Sequence, residues 1–163
     1  MLKFKYCGTH VKDEKYMNEM SSKGWATKSL IEGFWIFDKC KPNEYKYRIY
    51  YFRGMNKNDI ENKIKELKEK DIEFVHKYSF WGIFKSKKDF ILYDEKQQIE
   101  LCNKIRNPMK IAVIICPIVL AILIILSFKI SNIFLILTFL LMIYYIVCLY
   151  LFIEYTLLIN ELK

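Results

Sequence analysis

Hydrophobic and polar residues follow three rhythms along this chain. At the N-terminus they alternate: Leu2, Phe4 and Tyr6 are separated by Lys3 and Lys5, the period of two that a half-exposed strand requires. The alternation returns at Tyr45, Tyr47, Ile49 and Tyr51, interleaved with Lys46, Arg48, Tyr50 and Phe52. Further strands are predicted from Gly24-Trp25 to about Ile31, then at 34–39, 72–78, 80–85 and 90–93. Gly33 and Lys41-Pro42-Asn43 supply turns between the early ones. Elsewhere the period becomes helical. Residues 13–22 gather Tyr16, Met17 and Met20 on one face, and Ile60, Ile64 and Leu67 recur at i, i+4 and i+7. Asn58, three residues before Glu61, resembles a capping box, and Glu61–Lys65 and Glu66–Lys70 are i,i+4 pairs on the wet face. Asp94 with Gln97 opens a third helix carrying Ile99, Cys102 and Ile105, which Asn107-Pro108 is expected to end.

From Ile111 onward the rhythm disappears. Residues 111–128 contain no charge and are interrupted only by Cys116, Pro117 and Ser127; as a helix they span roughly 27 Å. Lys129, Ile130, Ser131 and Asn132 form a turn, and residues 133–153 are again uncharged, roughly 31 Å as a helix. A chain this short has too little other protein to bury two helices that are apolar all round. The pattern therefore predicts a transmembrane hairpin over residues 107–163, following a domain over 1–106.

The N-terminal part also repeats. A shift of 47 residues lays Met20 on Leu67, Trp25 on Ile72, Phe34 on Trp81 and Phe37 on Phe84. Phe34-Trp35-Ile36-Phe37 echoes Phe80-Trp81-Gly82-Ile83-Phe84. The predicted fold class is α+β: a duplicated α-β-β-β domain, its helices on one face of an antiparallel sheet, followed by the two-helix hairpin.

Charge sharpens this division. Through Lys110 there are 24 Lys and Arg against 16 Asp and Glu, and beyond it two of each, so the whole net charge of +8 belongs to the N-terminal part. Lys96, Lys104, Arg106 and Lys110 precede the first span, whereas the turn offers only Lys129. The positive-inside rule then places the domain and both termini in the cytoplasm of a multi-pass cell-membrane protein. Residues 1–20 hold no apolar core of signal-peptide length, so the hairpin is expected to direct insertion. The lysines invite contact with anionic lipid at the inner leaflet. Glu154 lies at the cytoplasmic end of the second span, where an interfacial anchor is the plainer reading and a proton relay the sharper one. Tyr144 and Tyr145 fall near its middle, where a hydroxyl requires a partner.

Met20-Ser21-Ser22-Lys23-Gly24-Trp25, Phe37, Tyr45-Lys46-Tyr47-Arg48-Ile49, Ile83-Phe84-Lys85 and Tyr93-Asp94 together resemble domain of unknown function 2812. The resemblance covers about residues 5–105. It implies a bacterial, mostly Gram-positive, membrane protein with hydrophobic helices after the domain. It also implies a regulatory setting, since members are often associated with small winged-helix transcriptional regulators. It brings no catalytic residues. The chain departs from the pattern at the second Gly-Trp, where Asp71-Ile72 stands.

Catalytic and ligand motifs are scarce. The cysteines at 7, 40, 102, 116 and 148 form no CxxC, and a reducing cytoplasm disfavours disulfides. Cys7-Gly8-Thr9-His10 is half a zinc site whose only further imidazole is His76. No phosphate-binding glycine motif occurs. Trp25, Trp35 and Trp81 suggest either ligand stacking or core, with core favoured by their apolar neighbours. The strand from Tyr45 to Arg53 combines aromatics with positive charge, but 23 of the 26 basic residues are lysines, poor at planar contacts, and no nucleic-acid partner is expected. Expected catalytic, cofactor and metal residues are therefore none, and the chain is not expected to be an enzyme. The expectation is a membrane-anchored adaptor or sensor acting on an unidentified protein partner. The alternative is a small oligomeric transport or efflux component with Glu154 and Tyr144 lining a path. Self-association through the spans has no GxxxG to support it.

Overall fold

In the computed structural model, which describes residues 1–129 and 133–162, the alternating segments form six strands. These are β1 (Leu2–Phe4), β2 (Trp25–Ile31), β3 (Phe34–Lys39), β4 (Lys46–Tyr51), β5 (Glu73–Tyr78) and β6 (Trp81–Ser86). The helical periods become α1 (His10–Ser22) and α2 (Lys57–Lys68). The remainder is α3 (Glu95–Lys129) and α4 (Ile133–Glu161). Met1–Leu92 and Tyr93–Lys163 form two separate units, so the helix beginning at Glu95 belongs with the hairpin, whereas the sequence placed a boundary at 106.

The first unit holds two three-stranded antiparallel sheets, sheet A in the order β1-β3-β2 and sheet B in the order β4-β6-β5. They are one design used twice. Leu2↔Ile36, Lys3↔Trp35 and Phe4↔Phe34 in sheet A become Ile49↔Ile83, Tyr50↔Gly82 and Tyr51↔Trp81 in sheet B, each residue 47 positions on. The register slip between Thr27 and Ser29 returns between Phe74 and His76. Thr9 caps α1 and Asn56 caps α2, again 47 residues apart. Gly24, at φ +79°, is matched by Asp71 at φ +61°. That explains the missing second glycine, because a short polar side chain tolerates the left-handed conformation better than most.

The duplication differs from the expected phase. Each half is β-α-β-β and begins at β1 or β4, and the strand expected at 90–93 does not form. Its alternation packs Phe90 and Leu92 against the core while Ile91 stays exposed. Instead of a single sheet with both helices on one face, each sheet has its own helix. The α2 cap is Asn56, not Asn58: its extended backbone (φ −76°, ψ 171°) lets the side chain accept the Asp59 N–H at 2.9 Å, while Asn58 already lies in the first turn.

Two apolar clusters hold this unit. Tyr16, Met17 and Met20 of α1 meet Leu30, Trp35 and Phe37 of sheet A and Tyr47, Ile49 and Ile83 of sheet B. Leu67 of α2 meets Phe52, Ile72 and Phe84. Successive residues of β6, Ile83 and Phe84, thus serve opposite clusters, as a strand's period of two demands. Both faces of sheet B are covered. Gly82 is required there because a side chain would run into the Phe52 ring.

In the second unit α3 runs unbroken through Pro108 and Pro117 for 35 residues, about 52 Å. The expected stop at Asn107-Pro108 is absent. A proline deletes one backbone donor, and packing on both sides of it holds the helix together. Ile99, Cys102, Ile105 and Met109 lie against Tyr155, Leu158, Ile159 and Leu162 of α4, which continues beyond 153. Both helices are long and apolar enough to cross a membrane, with only 6% of either apolar window buried. The expected turn residues 130–132 lie outside the described residues.

Candidate functional site

Helix α1 and the turn before it carry two of the residues that the sequence singled out for chemistry, Cys7 and His10. Thr9, its N-cap, accepts the Lys12 N–H at 3.3 Å; Cys7 just before the cap and His10 in the first turn are buried, with Asp13 beside them. The Cys7 thiol is bonded to Asp13 and pushed up to about 12, first by burial and then by that carboxylate. It is a weak nucleophile at neutral pH. Burial brings His10 down to about 4, so its ring is neutral. That ring stacks on Trp81 with centroids 5.0 Å apart. Asp13 accepts from the Tyr78 hydroxyl at 3.1 Å and is raised to about 6 by burial. Among the described residues no group of three His, Cys, Asp or Glu is placed to hold a metal. Cys7 and His10 are near one another, but His76 stands on β5 and is not brought to them as a set.

The next turns of α1 have a different task. Sheet B ends in β4, and an edge strand leaves outward N–H and C=O groups that need partners. Glu14 Oε1 accepts the Ile49 N–H at 2.7 Å. Asn18 accepts the Tyr47 N–H at 2.9 Å and donates to the Tyr47 carbonyl at 3.1 Å. The Ser21 hydroxyl donates to the Tyr45 carbonyl at 2.6 Å. Spacing i, i+4, i+7 on the helix thus meets spacing two on the strand. Burial lifts Glu14 to about 7, against the opposing pull of the Ile49 N–H and Arg48.

The aromatic residues divide. Trp35 is fully buried and its indole N–H donates to the Lys5 carbonyl at 3.0 Å. Tyr47, central to the tyrosine-lysine strand, is also buried, and its hydroxyl accepts the Thr27 N–H at 2.9 Å. Trp25 and Trp81 are partly buried against the same cluster. A cleft of about 540 Å³ opens between β2 and β5, lined by residues including Lys28, Asp38, Glu73 and Lys85. These four charges pair as Lys28–Asp38 at 3.4 Å and Lys85–Glu73 at 3.2 Å. Tyr144, Tyr145 and Glu154 all lie on α4.

One surface carries no such satisfaction. The outer face of sheet A presents Leu2 (63% exposed), Phe4 (66%), Ile31 (56%) and Phe34 (47%). The register puts them side by side: Phe4 opposite Phe34, and Phe34 opposite Ile31. The Phe4 and Phe34 rings touch, centroids 5.0 Å apart. A contiguous apolar patch of this kind on a small domain is a candidate contact surface.

The family model described as "Protein of unknown function (DUF2812)" matches residues 10–114. The chain belongs to this family. The DUF2812 match runs from the first residue of α1 through β2 to β6 and into α3, leaving out β1. No curated protein and no solved structure matches the chain.

The sequence drew attention to the aromatic residues but missed this patch. Leu2 and Phe4 read as one face of a strand whose other face carries lysines, which normally marks the apolar side as buried. The signal that would have found the patch is the repeat, since the counterparts of these residues have a helix against them.

Proposed function

We propose that this DUF2812 protein is a membrane-anchored adaptor or sensor that acts in a regulatory setting by protein contact. The supporting observation is the outer face of sheet A, an apolar surface on a unit whose own clusters are otherwise enclosed. In this reading α3 and α4 are the anchor. Lys96, Lys104, Arg106 and Lys110 keep the N-terminal unit on the cytoplasmic side and add contact with anionic lipid. The buried thiol and the neutral imidazole serve the core, and recognition falls to the exposed face.

The test is affinity purification of the full chain from detergent-solubilised membranes, alongside a Phe4→Ser, Phe34→Ser double variant. A protein should be recovered in near-stoichiometric amount with the natural chain and be lost with the variant at equal expression. Equal recovery with both chains, or no enriched protein with either, would defeat the proposal.

A further inference from the structure

The internal duplication indicates what the open face of sheet A is shaped to receive. In sheet B the equivalent positions are Ile49 for Leu2, Tyr51 for Phe4, Tyr78 for Ile31 and Trp81 for Phe34. Three of these four are touched by α1: His10 stacks on Trp81, Asp13 takes the Tyr78 hydroxyl, and Ile49 packs in one cluster with Tyr16, Met17 and Met20. A helix therefore occupies this face in one copy of the repeat. In the other copy the same face is exposed.

We propose that the outer face of sheet A binds an amphipathic α-helix of a partner protein, seated as α1 is seated on sheet B. The inference rests on the protein-contact reading above and specifies the partner's structure. The side chains define its chemistry. Where α1 offers His10 and Asp13 to an indole and a phenol, the partner helix offers apolar residues to Phe34 and Ile31. These recur at i, i+3 or i+4, and i+7.

The edge strand defines its flank. The Phe37 N–H donates to the Met1 carbonyl and the Lys5 N–H to the Gly33 carbonyl, so odd-numbered residues of β1 bond inward to β3. The N–H groups of Leu2 and Phe4 point out along the free edge, where β4 directs that of Ile49 at Glu14. The partner helix therefore carries a Glu, Gln or Asn beside its apolar stripe, and an acidic flank suits Lys3 and Lys5. A second copy's α2 does not meet these requirements, since its outer residues Lys57, Asn58, Glu61, Lys65 and Lys68 are all exposed and polar.

The test places a photo-crosslinking amino acid at position 34 of the full chain in its native membrane, with position 57 as the control. The adduct should map by mass spectrometry to a helical segment of another protein with the stated spacing. Ile31→Asp should weaken it about tenfold. Because that variant could fail to fold, Ile31→Ser with an unchanged melting curve should give the same loss. An adduct on a loop or strand of a partner overturns the helix and leaves the protein-contact reading standing. Adducts on lipid alone, on a second copy of this chain, or no adduct above the control overturn both.

Discussion

The side chains of α1 that face sheet B are held away from their ordinary ionisation, and this has a readable pH signature. Burial raises Asp13 to about 6 and Glu14 to about 7. A raised carboxyl means that the folded chain holds a proton which the unfolded chain releases. Its contribution is thus full in acid and is lost as pH climbs through the interval between the ordinary and raised values. His10 works in the opposite direction: its folded ring stays neutral to about 4, so the unfolded form gains a proton first as pH falls through the ordinary 6.5. Between pH 8 and 6.5 the two raised carboxyls outweigh His10, and the buried Cys7 thiol stays protonated. The melting temperature of the full chain in detergent should rise on acidification across that interval. Glu14→Gln, which keeps an acceptor for the Ile49 N–H, should flatten the rise; an unchanged slope would remove Glu14 as its source. Gly82 is a second decisive residue. Gly82→Ala directs a methyl group at the Phe52 ring and should cost about 1–3 kcal/mol in denaturant unfolding, the usual range for overpacking.

Elements show what the sequence reveals and what it hides. Strands alternate and are read at once, and the hairpin pairs 31↔34 and 78↔81 follow from the shared shift of 47. Helix α2 has one wet side, so its i, i+4, i+7 stripe is legible. Helix α1 is harder to read because it is used on several sides: Met17 and Met20 are buried in the first cluster, and Glu14, Asn18 and Ser21 satisfy a strand edge. Hydrophobic period cannot signal a polar row whose partners are backbone groups of another element. Proline was misleading in the opposite sense at Pro108, since tertiary packing decides whether a helix survives the loss of one donor. Asn18→Ala removes both bonds to the buried Tyr47 backbone and should lower stability by about 1–3 kcal/mol. Asn18→Asp should restore the N–H acceptor alone and recover part of the loss, measured by the same unfolding curve.

For the whole molecule, two helices long and apolar enough to cross a membrane make attachment the property to test, and the orientation proposed from the charge distribution gives the test a direction. Under alkaline carbonate the chain should stay in the pellet. Cys40, half-exposed at the end of β3, should resist an impermeant thiol reagent in intact cells and react after permeabilisation; labelling before permeabilisation would reverse the orientation. The first unit has a further property, set by the way its halves interlock. Each copy of the repeat contributes to a cluster that contains residues of the other. Neither copy can therefore be excised as a working module. Removing the first would strip the lining from Ile49, Tyr78 and Trp81 and leave a sticky remnant. Calorimetry of the first unit within the full chain should show one endotherm, not two. A single copy of this design covers one face of its sheet with its own helix and leaves the other to a neighbour's, and sheet A keeps that second face open.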